Sequence, residues 1–283
     1  MNRLTPVGIR DLVPEETQTY QRSMKTLTEV FESQGYQHIQ TPTLEYFDAL
    51  ALGMGPHFKD IAVKFFDHKG HVLVLRPDNT VPIARLIATR MTESQLPLKV
   101  YYVNSIFRNP AEGANQEIES MQGGVELIGA KGAQADAEVI LLAIKTLQAL
   151  GLTEFGIDIG HTDFITGVSE ADKEALLKGD YVALGRIPLR GKEAAIAGHA
   201  ELTQIYDYLK LHQVDQYVHF NQGLVKELHY YTGLIFECYI PANRQSVGSG
   251  GRYDGLLAKF GFDCPAVGFA LNINRLAQCK ESV

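Results

Sequence analysis

Cysteine is scarce in this sequence: Cys238, Cys264 and Cys279 are odd in number, far apart and outside any CxxC pair. This argues against a disulfide framework or a cysteine-based zinc site and leaves reduced thiols that pack. No apolar run approaches the ~20 residues that a membrane span needs, and the start MNRLTPVGIRDLVPEE lacks the apolar core of a signal peptide. A cytoplasmic location with no membrane partner is therefore expected. An excess of positive charge is missing too. With 26 Lys and Arg against 33 Asp and Glu, the net charge is −7 and the pI about 5.7. There is no basic field for a polyanion, so no nucleic-acid partner is expected. His68 and His71 flank Lys69-Gly70 without further ligands nearby, so they are read as turn residues and no metal is expected.

A local absence is more telling. Between Arg108 and Lys131 there is no Lys, Arg or His, while Glu112, Glu117, Glu119 and Glu126 accumulate. Triphosphates are held by arginine and lysine forks, metal ions or helix N-termini, and acidic side chains alone repel them. The stretch has the frame of a nucleotide-activating site and the wrong charge for one.

What is present is an ordinary globular composition, 45% hydrophobic and 21% charged over 283 residues. Tyr20, Met24, Leu27, Val30 and Phe31 recur at helical spacing within Glu15 to Gln34, and Gly35 closes that helix. His38 to Thr41 reads as a strand broken by Pro42. AVKFFD and HVLVL read as a hairpin through Gly70. Asp78 is placed to cap a helix running through Ile83, Leu86 and Ile87. LKVYYVNSIF and the run ending GGVELIG form the arms of an antiparallel pair, and Ala133 to Leu150 is the clearest helix. GLTEFGIDIG supplies a strand. The region from about His161 to Val214 is helical and mixed, an insertion beside the sheet. LIFECYIP and AVGFAL are strands, with a short helix YDGLLAKF between them. Strands with covering helices indicate an antiparallel α+β domain.

Together these segments resemble the class II aminoacyl-tRNA synthetase core, and specifically histidyl-tRNA synthetase. GYQHIQTPTLE is similar to the first motif of that class, Phe107-Arg108 through VELIG to the second, and AVGFALNINRL to the third. LHYYTGLIFE resembles the histidine-recognition motif of the histidyl branch, and GSGGRYDGLL its following glycine-rich strand and turn. The resemblance implies a class II synthetase-like antiparallel sheet flanked by helices, a single domain over 1–283 with a helical insertion at about 161–214. Only eight residues follow Arg275, so no anticodon-binding domain is expected.

The departures from the pattern fall on ATP activation. Ser120 stands where an aromatic ring would meet adenine, and Asn272 and Asn274 alter the third motif, although Arg275 remains. Lys226 stands where the family has a catalytic arginine, keeping the charge but losing the planar fork. His229 replaces an aspartate. No catalytic residue and no cofactor are assigned. The amino-acid side is kept in type. The resemblance places Asp78, Thr80, Gln122 and Glu126 around a bound histidine and its ammonium, Arg108 on its carboxylate, and Tyr230, Tyr231 and Tyr253 around the imidazole. Such residues suit an amino acid chemically. Plainer roles stay open: Asp78 as a helix cap, Arg108 with Glu126 as a structural pair, the tyrosines as core, and Gly248, Gly250 and Gly251 as tight backbone.

A short histidyl-synthetase-like chain with an eroded ATP site resembles the regulatory subunits of ATP phosphoribosyltransferase. Membership implies a short-form catalytic subunit as partner, homodimers within a hetero-octamer, and control of the first step of histidine biosynthesis, with histidine as ligand of this chain or of its partner. Two other readings stand beside it. One is a truncated histidine-activating ligase serving an acceptor other than tRNA; the other is a stand-alone histidine-binding module.

Overall fold

The structure, a computed structural model, describes residues 4–109, 117–226, 230–241 and 246–281, with residues 280 and 281 described by backbone alone. Helix α1 (Pro14–Ser33) opens with proline in its first turn, where a missing N–H costs nothing. Glu16 Oε2 accepts from the Val13 N–H at 2.9 Å, closing the helix start. Tyr20, Leu27 and Phe31 are buried along one face. Gly35, with φ +81°, turns the chain out of the helix.

The strand expected over His38 to Thr41 is shorter and earlier: β1 (Gln37–His38). The Arg76 guanidinium takes the carbonyls of Thr41 and Pro42 at 2.8 and 3.2 Å, and Pro42 has no N–H to offer a ladder. The chain leaves the main sheet and forms β2 (Leu44–Tyr46), then α2 (Phe47–Met54) and α3 (Phe58–Ile61). β3 (Val63–Phe66) and β4 (Val72–Leu75) form the expected hairpin and, with β2, a three-stranded sheet in the order β2-β4-β3. Asp67 Oδ1 accepts the backbone N–H of Lys69 and His71, so His71 belongs to the turn.

Helix α4 (Thr80–Arg90) leads to β5 (Leu98–Phe107), β6 (Glu119–Ile128), α5 (Gly132–Ala149) and β7 (Gly156–His161). Between β7 and β9 (Val218–Asn221) lie α6 (Glu170–Lys178), α7 (Tyr181–Leu184), β8 (Arg190–Gly191) and α8 (Ala200–Leu211). Sequence patterning did not single out β8 or β9. The chain closes with β10 (Leu234–Tyr239), β11 (Gly248–Arg252), β12 (Ala266–Asn272) and α9 (Ile273–Glu281). The expected helix YDGLLAKF reduces to a 3-10 turn, Leu257–Phe260, bounded by Gly255 and by Gly261 at φ +92°.

Nine strands form the main sheet in the order β1-β5-β6-β12-β11-β10-β7-β9-β8. It is antiparallel apart from the β1–β5 and β7–β9 pairs. The alternating pleat divides the core. Tyr101 points to a cluster with Phe31 and α5, while Val100 and Tyr102 point to a second cluster under α2 and α4. The candidate site opens on that second face. Among the described residues, no helix is long and apolar enough to cross a membrane.

Candidate functional site

Strand register builds a cavity on this face. Rows across the sheet bring Tyr102, Gly124, Ala270 and Ser249 into line, beside a row of Val100, Glu126 and Gly268. Glycine, alanine and serine in the first row leave space that larger side chains would fill. The resulting cavity, about 90 Å³, is lined by all eight candidate residues: Asp78, Thr80, Arg108, Gln122, Glu126, Tyr230, Tyr231 and Tyr253.

The polar groups are held in place by hydroxyls and amides. Thr80 Oγ1 donates to Glu126 Oε1 at 2.8 Å, and the Tyr253 hydroxyl donates to Glu126 Oε2. Asp78 has two partners. Its Oδ1 accepts the Val81 N–H at 3.2 Å, and its Oδ2 accepts the Tyr230 hydroxyl at 3.2 Å. The helix-capping role and the cavity-lining role therefore coexist, one oxygen each. Asn104 Nδ2 donates to Asn79 Oδ1 at 3.1 Å, and Asn79 Nδ2 donates to Gln122 Oε1 at 3.3 Å, which fixes the orientation of the Gln122 amide. Arg108 Nε donates to the Pro77 carbonyl at 2.6 Å. The structural pair of Arg108 with Glu126 is thus not what these groups form: hydroxyls occupy both Glu126 oxygens.

Burial dominates the electrostatics. Glu126, 1% exposed, has its carboxyl pushed up to about 8 by burial, with the charge of Asp78 adding to the rise and the Tyr253 and Thr80 hydroxyls opposing it. Asp78 is raised by burial too, against the pull of Arg108. Two buried carboxyls that resist ionisation together are chemically suited to one cation between them. An ammonium between them would relieve both, with Arg108 at hand for a carboxylate.

Tyr102, Ser249, Gly268, Phe269 and Ala270 also line the cavity and were not found from sequence. Tyr102 had a signal, since it alternates with Val100 and Asn104, yet the Tyr101-Tyr102 pair does not say which ring faces which side. Its hydroxyl is buried without a hydrogen-bond partner among the described residues. A Cβ on Gly268 would overlap the Glu126 carboxylate and the Val125 carbonyl. Gly268→Ala is expected to cost about 1–3 kcal/mol by overpacking and to displace Glu126. Thermal unfolding, followed by calorimetry, checks it; an unchanged midpoint would show that the strand relaxes freely.

The groups that would serve a triphosphate are engaged elsewhere. Lys226 pairs with Glu237, and Arg275 Nη1 donates to the Ser246 carbonyl at 2.5 Å. Asn274 Nδ2 donates to Glu117 Oε2 at 2.7 Å, its Oδ1 accepts the Met121 N–H at 2.9 Å, and Asn272 Oδ1 accepts the Arg275 N–H at 3.0 Å. Both asparagines thus tie the start of α9 to its surroundings. Ser120 lines a separate cavity with Arg10, Tyr20, Glu117 and Glu119. His229 and Glu112 lie outside the described residues.

Comparison with known proteins converges on one group. The family model described as Histidyl-tRNA synthetase matches residues 8–184 and 174–276. The chain is 35% identical to the ATP phosphoribosyltransferase regulatory subunit of Moorella thermoacetica, over 96% of this chain and 80% of that one. It is 37% identical to the protein of the same name from Symbiobacterium thermophilum, over 98% and 79%. A solved structure named as an ATP phosphoribosyltransferase regulatory subunit/histidyl-tRNA synthetase from Bacillus halodurans superposes with a TM-score of 0.89 at 32% identity, covering 98% of this chain and 83% of that one. Apo histidyl-tRNA synthetase of S. aureus superposes with a TM-score of 0.75 at 26% identity, covering 100% and 72%.

Proposed function

The chain belongs to the ATP phosphoribosyltransferase regulatory subunit family, on a histidyl-tRNA synthetase-like fold, and from this premise we propose that it activates and controls a separate short-form catalytic subunit. The reaction served is the first step of histidine biosynthesis. The chain itself performs no ligase or transferase chemistry, and histidine is the ligand of the cavity. The observation that carries this reading is the split within the synthetase-like frame. Eight residues suited to an amino acid surround one cavity, while Lys226 and Arg275 are committed to Glu237 and to a backbone carbonyl.

Control follows if histidine binds two states of the assembly unequally, since a ligand shifts an equilibrium only by its difference in affinity. In this reading the chain forms homodimers within a hetero-octamer in the cytoplasm, with no nucleic acid involved. Residues 161–214 are read as an insertion in one synthetase-like domain. The test is ATP phosphoribosyltransferase activity of a short catalytic subunit with and without this chain, across a histidine titration. Activation by the chain, with histidine reducing it, is expected. No association, or histidine-dependent ATP–pyrophosphate exchange by the chain alone, would overturn the reading.

A further inference from the structure

A second cluster of ligand-type side chains lies away from the cavity, where β7 ends and α8 begins. His161, Asp163 and His199 each place one donor atom within 4.8 Å of the others. Asp163 Oδ2 is 3.4 Å from His161 Nδ1 and 3.6 Å from His199 Nε2. Ligand atoms on a zinc ion, bonded at ~2.0–2.1 Å in a tetrahedron, stand roughly 3.3–3.4 Å apart, so these two spacings are close to the edges of such a shell. His161 Nε2 faces Glu201 Oε2 at 3.6 Å, the position of a carboxylate that orients a metal-bound imidazole through its other nitrogen.

Both imidazoles also serve as helix caps. His161 Nδ1 accepts the Asp163 N–H at 3.1 Å, and His199 Nδ1 accepts the Leu202 N–H at 3.3 Å. Capping accounts for the Nδ1 atoms alone. Among the described residues, the Nε2 atoms of both rings are buried without a hydrogen-bond partner, which folded proteins rarely tolerate in neighbouring groups. We propose that His161 Nδ1, Asp163 Oδ2 and His199 Nε2 form a zinc site, with Glu201 as the second-layer acceptor for His161 and water in the fourth position. Binding moves the His199 proton from Nε2 to Nδ1 and exchanges the two long cap bonds for metal bonds. Its effect is to clip the segment before α8 onto the end of β7. From sequence no metal was expected; His161 and His199 are far apart in the chain, and their approach depends on α8 packing against α5.

The test uses the full chain, stripped of metal by a chelator and free of any affinity tag, titrated with Zn²⁺ by calorimetry and with Co²⁺ by visible absorption. One equivalent is expected, with the spectrum of tetrahedral cobalt. Asp163→Asn and His199→Asn should each weaken binding at least tenfold; asparagine at 199 retains a good helix cap, so folding is preserved. In the unmodified chain, the imidazole NMR signals of His161 and His199 should shift on adding Zn²⁺. No binding, binding undiminished in both variants, or unshifted imidazole signals would overturn the site.

Discussion

Asp136→Ala is expected to lower the free energy of unfolding by about 3–5 kcal/mol, the cost of breaking a buried ion pair from one side. Asp136 is fully buried on α5, and Arg252, at the end of β11, is 5% exposed. The guanidinium meets the carboxylate through two nitrogens, Nη2 at 2.6 Å and Nε at 2.9 Å from Oδ1. It donates further to the Ala130 carbonyl at 3.1 Å and to Asp254 at 2.9 Å. Removing Asp136 leaves this charge in the core with one partly exposed carboxylate to answer it. Urea denaturation of the variant gives the loss. A double replacement, Asp136→Leu with Arg252→Met, should recover most of it, because it is the orphaned charge and not the absent pair that is costly. A loss under about 1 kcal/mol in the single variant would mean that Asp254 suffices for Arg252. The pair also bears on the cavity, since Tyr253 follows Arg252 directly and its hydroxyl holds Glu126.

Glu126→Gln is expected to weaken histidine binding roughly 10- to 150-fold, the value of a buried charge-assisted hydrogen bond of about 1.5–3 kcal/mol. The pH dependence separates a charge effect from a shape effect. In the ligand-free protein burial holds the Glu126 carboxyl at about 8. Below that value the group is protonated and must release its proton to meet an ammonium. Affinity should therefore rise with pH, by up to about tenfold per unit, and level off near pH 8. Glutamine cannot ionise, so the variant should lose this slope. Calorimetry at several pH values, in buffers of different ionisation enthalpy, reads both affinity and proton release. A flat wild-type profile would remove Glu126 from contact with the ammonium. Stability without ligand should move the other way. The folded value, about 8, lies above the ordinary 4.5, so the folded state keeps a proton that the unfolded chain gives up. The contribution is complete below about 4.5 and is lost as pH rises through 8, a fall that Glu126→Gln should not show.

Locally coded features were legible in the sequence. Apolar spacing marked α1 and α5, and the Gly70 turn marked the β3–β4 hairpin, because periodicity and turn chemistry involve residues close together in the chain. The motif resemblance supplied the synthetase-like α+β fold and the eight residues that gather around one cavity. The charge pattern after Arg108 by itself points away from a triphosphate. What the sequence left open depends on partners distant in the chain. Arg76 shortens β1 by taking the Thr41 and Pro42 carbonyls, and the short strands β8 and β9 are defined by pairing at the sheet's edge. Register alone sets Gly124, Ala270 and Ser249 in the row beside Tyr102. The approach of His161 to His199 needs α8 to be packed first. By itself, then, the sequence determined the locally coded elements, the family and the acidic charge of the stretch after Arg108. Only the tertiary structure decided which small residues open the cavity, that Asp78 both caps α4 and lines the cavity, and where two histidines meet, since each of these rests on contacts between strands and helices that local preference does not encode.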